Sequence, residues 1–184
     1  MTATTTRFAL AAGLVAALAA PVAIAAEPLD AHFPPERPTC YGRAYDAAHL
    51  ERNRRQKTVE IVFGASTRTN SVGGRFYVGF RDRKTPRWHA TGSADLKCKE
   101  KDGGLACFGE CGAYPSRVKP IDARTIELQI EAGECGEDDR FGPDDRVFRL
   151  VRLPADYCAT AQWVLGPPEA IRDDSQPFPP IPTE

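Results

Sequence analysis

The sequence predicts a mainly β fold, a single small antiparallel β-barrel or sandwich with one or two short helices, stabilised by disulfides. Short segments in which apolar and polar residues alternate indicate strands with one buried face. Helix patterns are weak by comparison. An even number of cysteines is typical of a disulfide framework in an exported domain. The six cysteines are Cys40, Cys98, Cys107, Cys111, Cys135 and Cys158.

The first 25 residues have the three parts of a secretory signal peptide. Arg7 supplies the positive charge, Phe8–Ala20 is an uncharged apolar run, and Ala23-Ile24-Ala25 offers small residues for cleavage. The apolar run is shorter than the roughly 20 residues that a membrane-spanning helix needs. We therefore expect cleavage after Ala25, a periplasmic or secreted product, and no membrane span in the mature chain.

Proline-rich segments flank the region that carries the strand pattern. Residues 26–39 contain four prolines and residues 166–184 contain six. Because proline lacks the N–H that helices and sheets need, we predict an N-terminal extension and a C-terminal tail that bury little. The β-rich domain is then predicted to span residues 40–165.

Two short helices are predicted inside this domain. Asp46 is a suitable N-cap for the first, which would reach Leu50. Pro154 opens the second, which would extend to about Trp163, since proline is favoured in the first turn of a helix.

Five segments carry the clearest strand pattern, with every second residue apolar and on one face. They are Thr58–Phe63, Arg75–Arg81, Ala94–Lys101, Thr125–Glu131 and Arg146–Leu153. In Ala94–Lys101, three lysines share the face opposite to Leu96 and Cys98. We expect six to eight short strands in all, which favours a barrel or a sandwich.

One turn predicts a disulfide directly. Asp102-Gly103 is a preferred two-residue hairpin loop, because a type I′ turn needs positive φ at both positions. With this loop, Cys98 faces Cys107 at a non-hydrogen-bonded pair, where Cα atoms approach to about 4.5 Å. We therefore predict a Cys98–Cys107 bond. A Gly103-Gly104 loop would shift the register and remove this prediction.

The other four cysteines are paired by elimination. A Cys40–Cys158 bond would tie together the two ends of the predicted domain, which leaves Cys111 to pair with Cys135. Six cysteines allow other connectivities, and the sequence leaves these open for the last four.

The sequence shows no strong catalytic, cofactor or metal motif. Cys107-x3-Cys111 lacks the second close pair that a zinc site needs, and C-x-x-C is absent. No serine lies in a G-x-S-x-G string, and the histidines are scattered along the chain at His32, His49 and His89. We therefore assign no catalytic residue, no cofactor and no metal ligand, and we do not expect an enzyme.

Charge is distributed unevenly, although the formal net charge is only −1. Residues 40–119 contain 16 Lys or Arg and 8 Asp or Glu, whereas residues 120–184 contain 6 and 14. Two interpretations stay open. The halves neutralise each other within the fold, or they form a basic and an acidic face that attract charged partners.

Two segments concentrate this charge. The basic run Arg52–Lys57 is typical of a solvated connection; an envelope phosphate or glycan would suit it better than nucleic acid, which exported proteins seldom meet. The acidic loop Glu134–Asp145 is a solvated loop, a calcium site or a surface for a basic protein. Its possible partner-binding residues are Glu134, Glu137, Asp138, Asp139, Asp144 and Asp145. If loop and run pack together, the argument for binding from charge fails.

The string Cys40–Leu50, with the later spacing of Cys98, Cys107 and Cys111, resembles small exported proteins of proteobacteria. No activity is established for those proteins, so the resemblance implies none. In size, expected export and disulfide content, the chain is also similar to small periplasmic β-barrel inhibitors of lysozyme. None of their binding motif matches here, and this likeness concerns architecture alone.

From the sequence we expect an exported, non-enzymatic binding or inhibitor module that engages an envelope component or a foreign protein through a charged face. The alternatives are a small envelope hydrolase and a structural envelope protein without a discrete ligand. A cleft with a histidine or paired carboxylates within hydrogen-bond reach would favour the hydrolase. A continuous charged face would favour the binding module.

Overall fold

The fold is an eight-stranded antiparallel barrel in which each strand pairs with the next and β8 pairs with β1. The structure is a computed structural model, and it describes residues 28–66, 75–84, 88–108, 116–131, 141–165 and 180–182. The predicted mainly β class is confirmed, and of the two predicted architectures the chain forms the barrel.

The strands and helices of the described ranges follow in chain order. The strands are β1 (Thr39–Ala44), β2 (Thr58–Ser66), β3 (Arg75–Asp82), β4 (Trp88–Lys101), β5 (Gly104–Phe108), β6 (Ser116–Asp122), β7 (Thr125–Ile130) and β8 (Val147–Arg152). The helices are α1 (Leu29–His32), α2 (Ala47–Arg52) and α3 (Ala155–Leu165).

Both predicted helices are present. Asp46 is the N-cap of α2, and its Oδ1 accepts a hydrogen bond from the backbone N–H of His49 at 2.6 Å. This bond satisfies one of the N–H groups that the first turn of a helix leaves without an intrahelical partner. The second predicted helix is α3, which begins directly after Pro154.

The interior of the barrel is filled by one apolar cluster to which every strand contributes. Its buried members are Tyr41, Ile61, Phe63, Phe76, Val78, Phe80, Leu96, Cys98, Cys107, Val118, Ile126, Leu128, Ile130, Phe141, Phe148 and Leu150. Burying one such large apolar side chain contributes roughly 1.5–3 kcal/mol, so this cluster is the main stabilising element of the fold. Because the described interior is packed, the outer surface is where a binding feature has to be sought.

A second apolar cluster lies between α3 and the outer surface of β1, β2 and β3. It consists of Cys40, Val62, Tyr77, Leu153, Tyr157, Cys158, Ala161 and Ile181. The helix therefore covers one side of the barrel. The outward side chains of β4, β5 and β6 lie on another side of it.

The proline-rich flanks bury more than expected. His32 in α1 is fully buried, and Ile181 in the C-terminal tail is 4% exposed. Phe33 packs edge-on against three rings of the barrel, those of Tyr41, Phe63 and Phe76. The expectation that these flanks bury little is wrong at these positions. Proline prevents ladder hydrogen bonds, but it does not prevent a neighbouring apolar side chain from packing against the barrel.

The hairpin prediction is confirmed. Asp102 and Gly103 have φ of 51° and 71°, and Lys101 pairs with Gly104. Cys98 and Cys107 are Cα partners 4.0 Å apart and form a disulfide. Left-handed φ at both loop positions is the geometry of a type I′ turn, which fixed this register.

The Cys40–Cys158 disulfide is also confirmed, with the Cα atoms 5.3 Å apart. It joins β1 to α3. Cys111 and Cys135 lie outside the described residues, so their pairing stays a prediction.

Removing the Cys40–Cys158 bond should destabilise the protein more than removing the Cys98–Cys107 bond. The two bonds span 118 and 9 residues. In the chain-entropy description, the Cys40→Ala/Cys158→Ala variant loses about 5 kcal/mol of unfolding free energy and the Cys98→Ala/Cys107→Ala variant about 2.5 kcal/mol. Urea denaturation of the mature chain measures both losses. An equal or larger loss in the second variant would contradict this expectation.

Candidate functional site

The described part of the acidic loop packs against the basic run. The carboxylate oxygen Oδ1 of Asp144 lies 2.9 Å from the guanidinium of Arg55. Asp145 is fully buried, and its Oδ2 accepts hydrogen bonds from the backbone N–H groups of Lys57 and Gly142, both at 2.6 Å. The N–H of Thr58 approaches both carboxylate oxygens at 3.3 Å. Asp145 therefore holds this segment against the beginning of β2.

This contact changes which of the predicted partner-binding residues can belong to a binding face. Asp145 has no exposed surface, so we do not include it in a binding face. The charge of Asp144 is shared with Arg55, and the argument for binding from charge fails at these two residues. The other four candidates, Glu134, Glu137, Asp138 and Asp139, lie outside the described residues. The backbone at Gly142 lies close to the backbone at Arg55, since a Cβ at Gly142 would overlap the carbonyl oxygen of Arg55.

A largely buried ion pair lies on the side of the barrel that α3 covers. Glu60 on β2 and Arg81 on β3 are Cα partners, with 2.8 Å between Oε1 and the guanidinium. Burial raises the pKa of the Glu60 carboxyl, while the charge and the hydrogen bond of Arg81 act in the opposite direction. A carboxyl with a raised pKa can donate a proton. The side chain of Glu60 is only 8% exposed, which leaves a substrate little access.

Two tyrosines, Tyr77 and Tyr157, lie on the same side of the barrel as this ion pair. Burial raises the pKa of the hydroxyls of Tyr77 and Tyr157, and the Glu60 charge adds to the effect at Tyr157. The buried Tyr77 hydroxyl and the buried Glu60 Oε2 have no hydrogen-bond partner within the described parts of the chain. Leaving such groups unsatisfied costs stability. These two unsatisfied groups therefore reduce the stability that is gained when α3 packs on the barrel.

The three histidines lie in separate places. The Nδ1 of His32 is 2.8 Å from the hydroxyl of Tyr41, which also accepts a hydrogen bond from Arg152. The Nε2 of His49 is 3.0 Å from the side-chain oxygen of Gln56. Both contacts hold segments of the fold together, namely α1 on the barrel and α2 on the chain before β2.

His89 comes nearest to the arrangement that a hydrolase would need. Its Nε2 lies 3.5 Å from Oδ2 of Asp82, and its ring packs on Phe80. That Nε2 is buried and has no hydrogen-bond partner among the described side chains. A base that is oriented by a carboxylate normally makes a hydrogen bond to it. Within the described residues, His89 and Asp82 are therefore neighbours without a hydrogen bond between Nε2 and the carboxylate.

The outer surface of β4, β5 and β6 carries a continuous set of cations, which we call the basic face. It consists of Lys97, Lys99, Lys101, Arg117 and Lys119, and all five are exposed. The three lysines alternate along β4, and the other two cations alternate along β6. The lysine alternation on β4 was visible in the sequence. The sequence does not show that the cations of β6 lie beside these lysines, because this depends on the pairing of β5 with β6.

Strand pairing places β5 between the two rows of cations. Lys99 pairs with Ala106, Ala106 pairs with Arg117, and Lys101 pairs with Gly104. Neighbouring strands are about 4.8 Å apart, so the rows are roughly 9.5 Å apart, with about 6.7 Å between cations within a row. Between the rows, β5 presents only the small residues Gly104 and Ala106. The two rows therefore border a shallow trough whose floor their side chains largely cover, since Gly104 is buried and Ala106 is only 8% exposed.

The trough ends at an exposed aromatic ring. Phe108 is the last residue of β5, pairs with Lys97 and is 57% exposed. Beside it, the Nε of Arg117 lies 3.3 Å from Oε1 of Glu131, and both side chains are more than half exposed. A shallow depression joins these groups and is lined by Lys101, Ala106, Cys107, Phe108, Ser116, Arg117 and Glu131. Cationic, anionic and aromatic groups thus meet at one end of the basic face.

Other kinds of site are not found in the described ranges. No cluster of three or more His, Cys, Asp or Glu side chains there could hold a metal ion. In the same ranges, no helix has the length and apolar character needed to cross a membrane.

Comparison with known proteins assigns no class. No protein-family model, no curated protein and no solved structure matches this chain. The likeness to exported proteobacterial proteins therefore stays a resemblance, and a function has to be inferred from the residues themselves.

Asp145 should contribute far more to stability than its neighbour Asp144. We expect Asp145→Asn to lower the unfolding free energy by about 2–3 kcal/mol, because a buried carboxylate that accepts charge-assisted hydrogen bonds is replaced by an amide. The matched control Asp144→Asn breaks a partly exposed ion pair and should cost under about 1 kcal/mol. Urea denaturation of both variants measures the difference. Similar losses would show that Asp145 is not the residue that holds this segment.

Glu60 should make stability depend on pH in a definite direction. Its pKa is higher in the folded than in the unfolded chain, so protonation favours folding. The stability of the wild type relative to Glu60→Gln should be highest below about pH 4, where the carboxyl is protonated in both states, and should fall as the pH rises through the raised pKa of the folded chain. Unfolding free energies of both proteins across this range provide the measurement. A relative stability that rises with pH would mean that folding lowers this pKa.

Proposed function

We propose that this protein is an exported, non-enzymatic binding module that engages an anionic partner through the basic face. The observation that carries the proposal is the pair of cationic rows on β4 and β6, exposed side by side on the barrel. Adjacent cations produce a positive potential that attracts anions and speeds their association. The partner would be an anionic envelope component or an acidic foreign protein.

Structural needs alone do not account for these lysines. Lysines on strands often protect the open edge of a sheet from pairing with another chain, but a closed barrel has no such edge. Neighbouring like charges also repel each other. Among the described residues, no ion pair involves Lys97, Lys99, Lys101 or Lys119. Glu127 lies opposite Lys119 on β7 and offsets part of this repulsion, and an anionic partner would relieve the rest.

The proposed binding face is positively charged, whereas the acidic loop suggested a negatively charged one. The described acidic residues Asp144 and Asp145 are engaged with the segment before β2, whereas the cations of β4 and β6 point outward. A basic protein is therefore a poorer candidate partner than an anionic one. The signal-peptide pattern of the first 25 residues and the two disulfides support an extracytoplasmic location, where reducing systems are absent.

Binding to anions should be salt-sensitive and should depend on the β4 lysines. The test uses the mature chain with a purified acidic polysaccharide, anionic lipid vesicles and an acidic protein. We expect at least one of them to bind, with affinity that falls as ionic strength rises. The Lys97→Glu/Lys99→Glu/Lys101→Glu variant should bind at least about tenfold more weakly, a difference of about 1.4 kcal/mol. Titration calorimetry at low and high salt measures both effects.

A matched variant controls for the change in net charge. Arg52→Glu/Arg54→Glu/Arg146→Glu reverses three exposed cations away from the basic face. It should bind nearly as well as the wild type, and it also tests the basic run as a rival site. If none of the anionic ligands binds, or if both variants lose affinity equally, the proposed function is wrong.

A further inference from the structure

The shape of the basic face selects an extended ligand. The two cationic rows are roughly 9.5 Å apart, and the surface between them is formed by the small residues Gly104 and Ala106 of β5. A single extended chain can lie along this trough, over the stems of the cationic side chains, and contact both rows at once. The convex surface of a folded acidic protein would follow the two rows over less of their length, because it curves away from them. Charge and shape together therefore favour a linear polyanion.

Phe108 restricts the choice of ligand further than charge alone does. Its ring lies at one end of the trough with 57% of the residue exposed to solvent, although a neighbouring apolar group would be stabilised by covering it. A sugar ring has an apolar C–H face of similar width to a phenyl ring. A polymer built of sugars can thus place one ring on Phe108 while its acidic groups meet the lysines of β4.

The ion pair beside Phe108 favours a sugar over a phosphate. Arg117 offers donors and Glu131 offers acceptors, and both side chains are more than half exposed. Hydroxyl groups can use both kinds of partner, whereas a phosphate would be repelled by the Glu131 carboxylate. Single-stranded nucleic acid is normally held by several aromatic rings in succession. Among the described residues of this face, Phe108 is the one aromatic side chain.

Building on the proposed function, we infer that the anionic partner is a strand of acidic polysaccharide that lies along β5 and stacks one sugar ring on Phe108. The lysines of β4 and Lys119 of β6 bind its carboxylates. Arg117 and Glu131 make hydrogen bonds to the hydroxyls of the stacked sugar. Phe108 selects for sugars, and the lysines select for charge.

Three polymers of matched length separate these contributions. Polygalacturonate has both sugar and charge, its methyl ester has the sugar without the charge, and polyglutamate has the charge without the sugar. We expect the wild-type mature chain to bind polygalacturonate at least about tenfold more tightly than either of the others. Calorimetry at low salt gives the three affinities. Equal binding of the methyl ester or of polyglutamate would overturn the inference.

The variant Phe108→Ala tests the stacked sugar. It should bind polygalacturonate about five- to tenfold more weakly and polyglutamate unchanged, because the lost contact is with the sugar ring. Val147→Ala on β8 is the matched control, since Val147 is also an exposed apolar residue at 53% and lies outside the trough. It should change neither affinity. Thermal unfolding establishes that both variants fold like the wild type.

The outcomes distinguish this inference from the proposed function. If vesicles or the acidic protein bind through the β4 lysines and polygalacturonate does not, the polysaccharide inference is wrong and the proposed function stands. An unchanged affinity of Phe108→Ala for polygalacturonate would also overturn the inference. If no anion binds in a salt-sensitive way, both are wrong.

Discussion

The pairing of β1 with β8 is the constraint on which the rest of the structure depends. It joins residues more than 100 positions apart, with Tyr41 opposite Arg152 and Gly42 opposite Val151. Closing so long a loop has a substantial entropic cost, which the fold offsets with a filled interior and with the Cys40–Cys158 bond directly beside this pairing. Closure also removes the free edges of the sheet, so each strand has an inner face in the core and an outer face that is covered or exposed. The locations of the described candidate binding residues follow from this division.

Closure divides the outer surface into regions with different roles. α3 covers the side formed by β1, β2 and β3, where the Glu60–Arg81 pair is largely buried. The uneven charge of the sequence is then resolved in two ways. At one place it is neutralised within the fold, because Arg55 forms an ion pair with Asp144. On β4 and β6 it stays exposed as the basic face. The first of the two interpretations that the sequence left open therefore applies to Arg55 and Asp144, and the second stays a prediction.

Features controlled by neighbouring residues could be predicted from the sequence, and features controlled by distant contacts could not. The Asp102-Gly103 turn, the Asp46 cap and the helix after Pro154 depend on local backbone preferences, and the structure has all three. β6 is harder to predict from the sequence, because it contains Pro120 and a proline argues against a strand. The pairing of β6 with β7 shifts register beside this proline, and this shift depends on the partner strand. The role of Asp145 was also hidden, since its partners at Lys57 and Thr58 are distant in sequence.

A packing explanation of the basic face accounts for only part of it. The aliphatic stems of Lys99 and Arg117 flank Ala106, which is 8% exposed, and long cationic side chains often shield apolar surface in this way. Gly104 likewise has a structural cause, because a Cβ there would overlap the backbone of β6. Shielding does not explain why Phe108 stays more than half exposed beside these stems. It also does not require charged ends, since any long side chain could cover an alanine. A ligand that needs both an apolar ring and cations accounts for the two observations together. The basic face is therefore a stronger candidate for a binding surface than the largely buried Glu60–Arg81 pair.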